Sequence, residues 1–200
     1  RYYSNAKYFK MKYIFILLPL FLSGCESLNF YTNKVFTEEP KNYYRTETIN
    51  NWQIFGIIKF HVSSKVISSR INWIFDQGKN NIIFIDASGR KIFRIISTKN
   101  SFGIHSELEG VDEATLKVLE RNKEINFLIK NFPRIINKDY DQLIDFKLDA
   151  SNNLIFAKNK NFEVHYKEYK NYDDYSFSNN IFIKYKKVKL QLITKKFKKK

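Results

Sequence analysis

The fold is decided by WQIFGIIKFHVSSKVISSRINWIFDQG, Trp52–Gly78. In its first half Trp52, Ile54, Gly56, Ile58, Phe60 and Val62 alternate with Gln53, Phe55, Ile57, Lys59 and His61. Strand side chains point to opposite faces with period two, so this pattern predicts a strand with one apolar face. Ser63–Lys65 supplies a turn, and Ile67, Ser69, Ile71, Trp73 and Phe75 begin a second alternating face. Gln77–Asn80, with Gly78, is the next turn. Ile82–Ile85 and Lys91–Ile96 then flank a loop at Asp86–Arg90. Short strands separated by polar turns indicate an antiparallel meander.

The middle of the chain changes period. Asp112 and Glu113 followed by Leu116, Val118 and Leu119 predict a short helix with acids in its first turn. Ile125, Leu128, Ile129 and Phe132 lie at i, i+3, i+4 and i+7, a helical stripe expected to end at Pro133. Strand patterns resume at Phe146–Leu148, Asn153–Lys158, Phe162–Tyr169, Ile181–Tyr185 and Val188–Ile193. The expected fold is mainly β (α+β): an antiparallel half-open β-barrel with short helices covering one opening.

Ahead of this domain stands MKYIFILLPLFLSGC, Met11–Cys25. Lys12 is a short positive region, Tyr13–Leu22 a ten-residue apolar run, and Leu22, Ser23 and Gly24 precede the only Cys of the chain. Ten apolar residues fall short of the roughly 20 that span a bilayer as a helix, so the segment reads as a processed lipoprotein signal, 11–24, with Cys25 as the acylated N-terminus. A plain secretory signal with an incidental Cys is the alternative. Residues 1–10 precede the only Met and are expected to be an untranslated extension. Residues 25–50, with few periodic apolar positions and Pro40, read as a lipidated tether, and 51–200 as a single domain.

The chain is formally +15; less Arg1, Lys7, Lys10 and Lys12, the mature protein carries about +11. Nucleic acid is one partner for such charge, but the exported, lipidated N-terminus argues against it and favours an anionic membrane surface or an acidic protein. Codon drift toward Lys and Asn is the competing explanation. Nine lysines and no acid lie in Ile181–Lys200, ending in KKFKKK. Val188, Leu190 and Leu192 mark a strand there, and the last residues are expected to be a frayed, solvated tail.

Catalytic constellations are missing. His61, His105 and His165 are widely spaced, no second Cys exists, and no nucleophile elbow or phosphate loop occurs. No enzyme activity, metal or cofactor is expected. The surplus is aromatic, with 19 Phe, 13 Tyr and 2 Trp. Most would fill a core, yet an incompletely closed barrel could enclose an acyl chain among them. The alternating faces nominate Ile71, Trp73, Phe75, Phe84, Ile95, Leu128, Val164, Tyr166, Leu190 and Leu192 as lining. A one-residue slip of register would reverse that choice.

Five motifs in order resemble the LolB family of outer-membrane lipoprotein receptors. They are WQIFGIIKF (Trp52–Phe60), SSRINW (Ser68–Trp73), NFLIKNFP (Asn126–Pro133), NFEVHYKEY (Asn161–Tyr169) and KVKLQLITKKF (Lys187–Phe197). The resemblance implies an apolar cavity for lipoprotein acyl chains in a monomer anchored to the periplasmic face of the outer membrane. It also implies a LolA-like periplasmic carrier as partner, acylated lipoproteins as cargo, and no nucleotide. In that family the loop between the third and fourth strands carries an exposed apolar residue before a glycine, used for membrane insertion. Here Ala87, Ser88 and Gly89 occupy the loop, and Ser88 is not apolar. The competing class is an envelope lipoprotein of structural or assembly function, with a filled core and a basic binding face.

If Cys25 is the lipid attachment site, Cys25→Ser should accumulate as an unprocessed precursor that incorporates no labelled palmitate; normal processing of the variant would refute the assignment.

Overall fold

The computed structural model describes residues 48–62, 64–107, 113–140, 142–172 and 175–200. The extension 1–10, the signal 11–24, Cys25 and the tether up to residue 47 lie outside them, as do Asp112 and the Asp173–Asp174 pair. Ten strands make one sheet: β1 (Asn51–Val62), β2 (Lys65–Asp76), β3 (Lys79–Ile85), β4 (Lys91–Ser97), β5 (Phe102–Ser106), β6 (Asp145–Leu148), β7 (Leu154–Lys158), β8 (Glu163–Tyr172), β9 (Tyr175–Tyr185) and β10 (Val188–Lys199). Their order across the sheet is β5-β4-β3-β2-β1-β10-β9-β8-β7-β6, with antiparallel neighbours throughout. Two meanders therefore join where the first strand meets the last. The outermost strands, β5 and β6, do not pair with each other, and the barrel stays open as expected.

Helices α1 (Glu113–Arg121) and α2 (Lys123–Ile136) lie between β5 and β6 in the chain. Asn122 caps α2, its side chain accepting from the Ile125 N–H at 2.9 Å. The predicted stripe of Ile125, Leu128, Ile129 and Phe132 is fully buried. Phe132 sits over Trp52 and Trp73, at centroid distances of 6.3 and 4.3 Å. The face of the sheet carrying Trp52, Ile54, Ile58 and Phe60 is thus the inner one, and all four have no exposed surface.

The β1–β10 seam has one irregularity. Phe55 pairs with Lys196 and Gly56 with Thr194, so Lys195 is an extra residue in β10. The bulge presses β10 onto β1: a Cβ on Gly56 would lie 2.3 Å from the Ile193 carbonyl oxygen. Only glycine fits there.

Four expectations need correction. The chain end is not frayed. β10 runs to Lys199, the Lys200 N–H donates to the Asn51 carbonyl at 3.0 Å, and Phe197 is buried against Phe177 at 4.4 Å. A single aromatic anchor among lysines holds the last turn of strand. Pro133 does not end α2, which continues to Ile136. Proline removes only the N–H that would donate to the Ile129 carbonyl, and the last turn still closes beyond it, Asn137 N–H to Pro133 at 3.1 Å and Lys138 N–H to Ile135 at 3.1 Å. β9 begins at Tyr175 rather than Ile181, because Tyr175 and Phe177 are buried and Tyr175–Ser178 pair against Tyr169–Tyr172 of β8. β5 was not expected at all; FGIHS carries little apolar alternation and is held by its register against β4.

Ile49, expected in the tether, is 2% exposed. Its N–H donates to Asn137 Oδ1 at 2.9 Å, and its carbonyl accepts from Asn137 Nδ2 at 3.1 Å. A side-chain amide here imitates a strand partner and ties the end of α2 to the entry of β1.

Gly56→Ala should destabilise the protein by about 3 kcal/mol, the cost of forcing a methyl into filled space. Urea unfolding of the two proteins checks this, and an unchanged midpoint would show that the seam can relax.

Candidate functional site

The register gathers the nominated residues on the inner face. Ile71 lies between Gly56 and Phe84, and Phe84 stacks on Phe93 at 4.1 Å. Trp73 lies between Ile54 and Ile82, and Ile82 opposes Ile95. Phe75 opposes Trp52 and stacks on it at 5.3 Å. Across the seam, Leu190 pairs with Phe60 and Ile183, and Ile183 with Val164; Leu192 pairs with Ile58 and Ile181, and Ile181 with Tyr166. All ten nominated side chains, including Leu128 of α2, are at most 8% exposed. They form one continuous apolar surface spanning both meanders, with the two tryptophans and Phe132 at its centre.

Polar atoms on this surface are few. Asn80 Oδ1 accepts from Trp73 Nε1 at 3.0 Å, which orients the indole. Trp52 Nε1, Ser97 Oγ and Thr194 Oγ1 are buried without a hydrogen-bond partner. Each is an uncompensated cost to the fold, of about 1–3 kcal/mol for a group of this kind.

The other end of the surface is a tyrosine cluster that sequence reasoning only touched. Tyr166 donates to the Ile135 carbonyl at 2.7 Å and meets the Tyr140 hydroxyl; Tyr175 donates to the Ile136 carbonyl at 3.3 Å. These bonds give the Ile135 carbonyl a second donor beside the Lys138 N–H and supply one to the Ile136 carbonyl. Burial, with the neighbouring Tyr140, holds the Tyr166 hydroxyl well above the usual phenol pKa. Tyr140, Tyr175, Asn137 and Lys138 were missed. Their only signal was position just after the helical stripe, or in a strand half read as loop.

Lys138 is 6% exposed, with its Nζ 4.9 Å from the centroid of the Tyr169 ring. Burial pulls its pKa from 10.5 to about 8, partly opposed by attraction to Asp149.

The loop at Asp86–Arg90 is a polar, internally bonded turn. Asp86 Oδ1 accepts from the Ser88 N–H, the Ser88 hydroxyl and the Arg90 N–H at 2.9, 2.7 and 2.9 Å. Arg90 Nε donates to Oδ2 at 2.9 Å, Gly89 takes φ +93°, and Arg70 bonds the Ala87 carbonyl. These donors, led by Ser88, hold the Asp86 carboxyl well below the usual carboxylate range. Ala87, Ser88 and Gly89 are exposed at the tip and present one methyl group as their apolar surface.

Between α2 and the β7–β8 turn lies a niche of about 120 Å³ lined by polar residues including Asn131, Arg134, Asp139 and Asn159, small beside ordinary ligand pockets of about 300–1,000 Å³. Among the described residues no group of three or more His, Cys, Asp or Glu could hold a metal ion, and no helix is long and apolar enough to cross a membrane.

No protein-family model matches the chain, and no curated protein matches it by sequence. Solved structures similar to it include a LolA superfamily protein from Nitrosomonas europaea, 12% identical, covering 80% of this chain and 90% of that one at a TM-score of 0.46. Another is described as an outer membrane lipoprotein-sorting protein domain from Vibrio parahaemolyticus: 9% identity, 77% and 87% coverage, TM-score 0.40. A third is a DUF1329 family protein from Desulfovibrio piger: 7% identity, 76% and 87% coverage, TM-score 0.39.

The folded state binds the Lys138 proton less strongly than the unfolded chain does. Stability from this group is therefore complete above pH 10.5 and lost as pH falls to about 8. Lys138→Met should make the protein more stable at pH 7 by about 2 kcal/mol, the shift less the lost ring contact, and the gain should shrink by pH 9.5. Thermal unfolding at the two pH values tests this; equal stability at pH 7 would show the ammonium to be hydrated in the fold.

Proposed function

We propose that the protein is a lipoprotein-handling protein of the bacterial envelope, similar in role to the LolB receptors. It accepts the acyl chains of a lipoprotein against the inner face and releases them into the outer membrane. The observation that supports this most is the cover over that face. Phe132 of α2, stacked on Trp73 at 4.3 Å, fills the centre of an otherwise continuous apolar surface. Displacing α2 would let the aromatics at the centre of this surface meet a lipid chain. An acyl chain replaces the apolar contacts of α2 with equivalent ones, so exchange needs no nucleotide energy, only a difference in affinity between donor, protein and membrane.

Two features set this reading apart from its relatives. The 86–90 turn is polar and held closed by Asp86, so it offers little to insert into a membrane. Membrane contact falls instead to charge. All nine lysines between Lys184 and Lys200 are exposed, and those of β10 are held on a paired strand. Each Lys near an anionic surface contributes about 1 kcal/mol, within a Debye length of roughly 8 Å at physiological salt. The same face suits an acidic carrier.

The soluble domain lacking Cys25 and everything before it should bind an acylated peptide or an apolar fluorophore, and adding Trp73→Glu should abolish binding by placing a charge in the apolar surface. Unchanged affinity in a folded Trp73→Glu variant removes Trp73 from the site, and no binding by the parent refutes acyl-chain handling.

A further inference from the structure

β8 has two faces. Val164 and Tyr166 enter the core, while Glu163, His165 and Lys167 emerge on the outer side. There the register places Lys147 of β6, Phe156 of β7, His165 of β8 and Phe182 of β9 in one row. Phe156 and His165 have ring centroids 5.0 Å apart, His165 and Phe182 6.2 Å, and Lys147 Nζ is 5.9 Å from the Phe156 centroid. Three interstrand steps of about 4.8 Å make this row roughly 14 Å long. An open groove of about 590 Å³ lies against it, lined by Lys147, Ile155, Phe156, His165, Tyr166 and Lys167. Its floor is shaped by a bulge. Leu148 pairs with Leu154 and Lys147 with Phe156, so Ile155 is the extra residue and the strand turns its apolar side chains outward.

The charges around the groove are sorted. The acids of the neighbouring row are Asp145 and Glu163, and each lies in register with Lys158: His165 Nε2 lies 3.1 Å from Glu163, and Lys184 flanks Glu163 on its other side. The two charged residues lining the groove are both lysines. Apolar rings with cations at one margin match a ligand that has an apolar body and an anionic end. A groove of this size falls in the range of small-molecule sites, and it lies on the face opposite the apolar surface under α2.

We propose that this outer groove binds one amphipathic anion, its alkyl chain lying along Ile155 and Phe156 and its phosphate or carboxylate held by Lys167. The site is independent of acyl-chain handling on the inner face. Decyl phosphate and decanoate, below their micellar concentrations, are titrated into the protein and followed by calorimetry and by the His165 ring nitrogens in NMR. One molecule per chain should bind and shift those nitrogens. Affinity should fall about tenfold or more in Phe156→Ala and in Lys167→Gln, and stay unchanged in the conservative inner-face variant Trp73→Phe. Preference for decyl phosphate assigns the groove to phosphate-bearing lipids, and preference for decanoate to free fatty acids. Lys167 is exposed, so Lys167→Gln keeps the fold and the test stands even if Phe156→Ala does not. Equal binding of uncharged decyl maltoside, or of inorganic phosphate alone, would overturn the proposal. So would full affinity in both groove variants, or a loss confined to Trp73→Phe.

Discussion

The structure depends on the close approach of β10 to Gly56. The chain makes two meanders, β1–β5 and β6–β10, and they become one sheet only through the β1–β10 pair. At its midpoint the β10 backbone occupies the space a side chain would need, with Ile193 O 2.3 Å from a would-be Cβ. The extra residue Lys195 shifts the register there, and both flanking segments still bury the correct side: Ile54 against Phe197 before the bulge, Ile58 against Leu192 after it. A bulge without a glycine opposite would lever the two half-sheets apart, and the apolar surface shared by Trp73 and Leu192 would be split.

The end of α2 is the second tie. Three strands reach it by hydrogen bonds to backbone or side-chain groups. Ile49, at the entry of β1, is held by Asn137; Tyr166 of β8 and Tyr175 of β9 hold the Ile135 and Ile136 carbonyls. These bonds are buried, where an unmade partner is expensive. The rest of α2 touches the sheet through apolar and aromatic contacts, Phe132 on Trp73 and Phe127 on Tyr185. Such contacts are non-directional and exchangeable with those of a lipid chain. The helix is thus pinned by polar bonds at its C-terminal end and seated by apolar contacts along its length.

The two faces of the sheet divide the labour by charge. The inner face is aromatic and nearly without charge, and Lys138, the cation buried at its margin, is held over a tyrosine ring. The outer face carries the basic excess and, at β6–β9, aromatic rings beside lysines. Period-two alternation makes this separation automatic once the register is set. It also gives one small domain two chemically distinct surfaces.

Much of this was legible in the residues. Alternation in Trp52–Phe75 determined the strands and nominated one face for burial; the pairing register settled which face is buried, because a slip by one residue would expose every one of its core side chains. The 3.6-residue stripe from Ile125 to Phe132 determined α2 for the same kind of reason. Other features depend on residues far apart in sequence. β5 and the first half of β9 have weak patterns and exist because a neighbouring strand offers a register. The chain end is ordered because Phe197 finds Phe177. The turn beyond Pro133 is held by Asn137, Lys138 and Tyr166 of β8. The pairing of His165 with Phe156 and Phe182 arises only from strand order. Local sequence encodes which way a side chain points; only the tertiary structure decides what it meets, since contacts between distant segments leave no period in the chain.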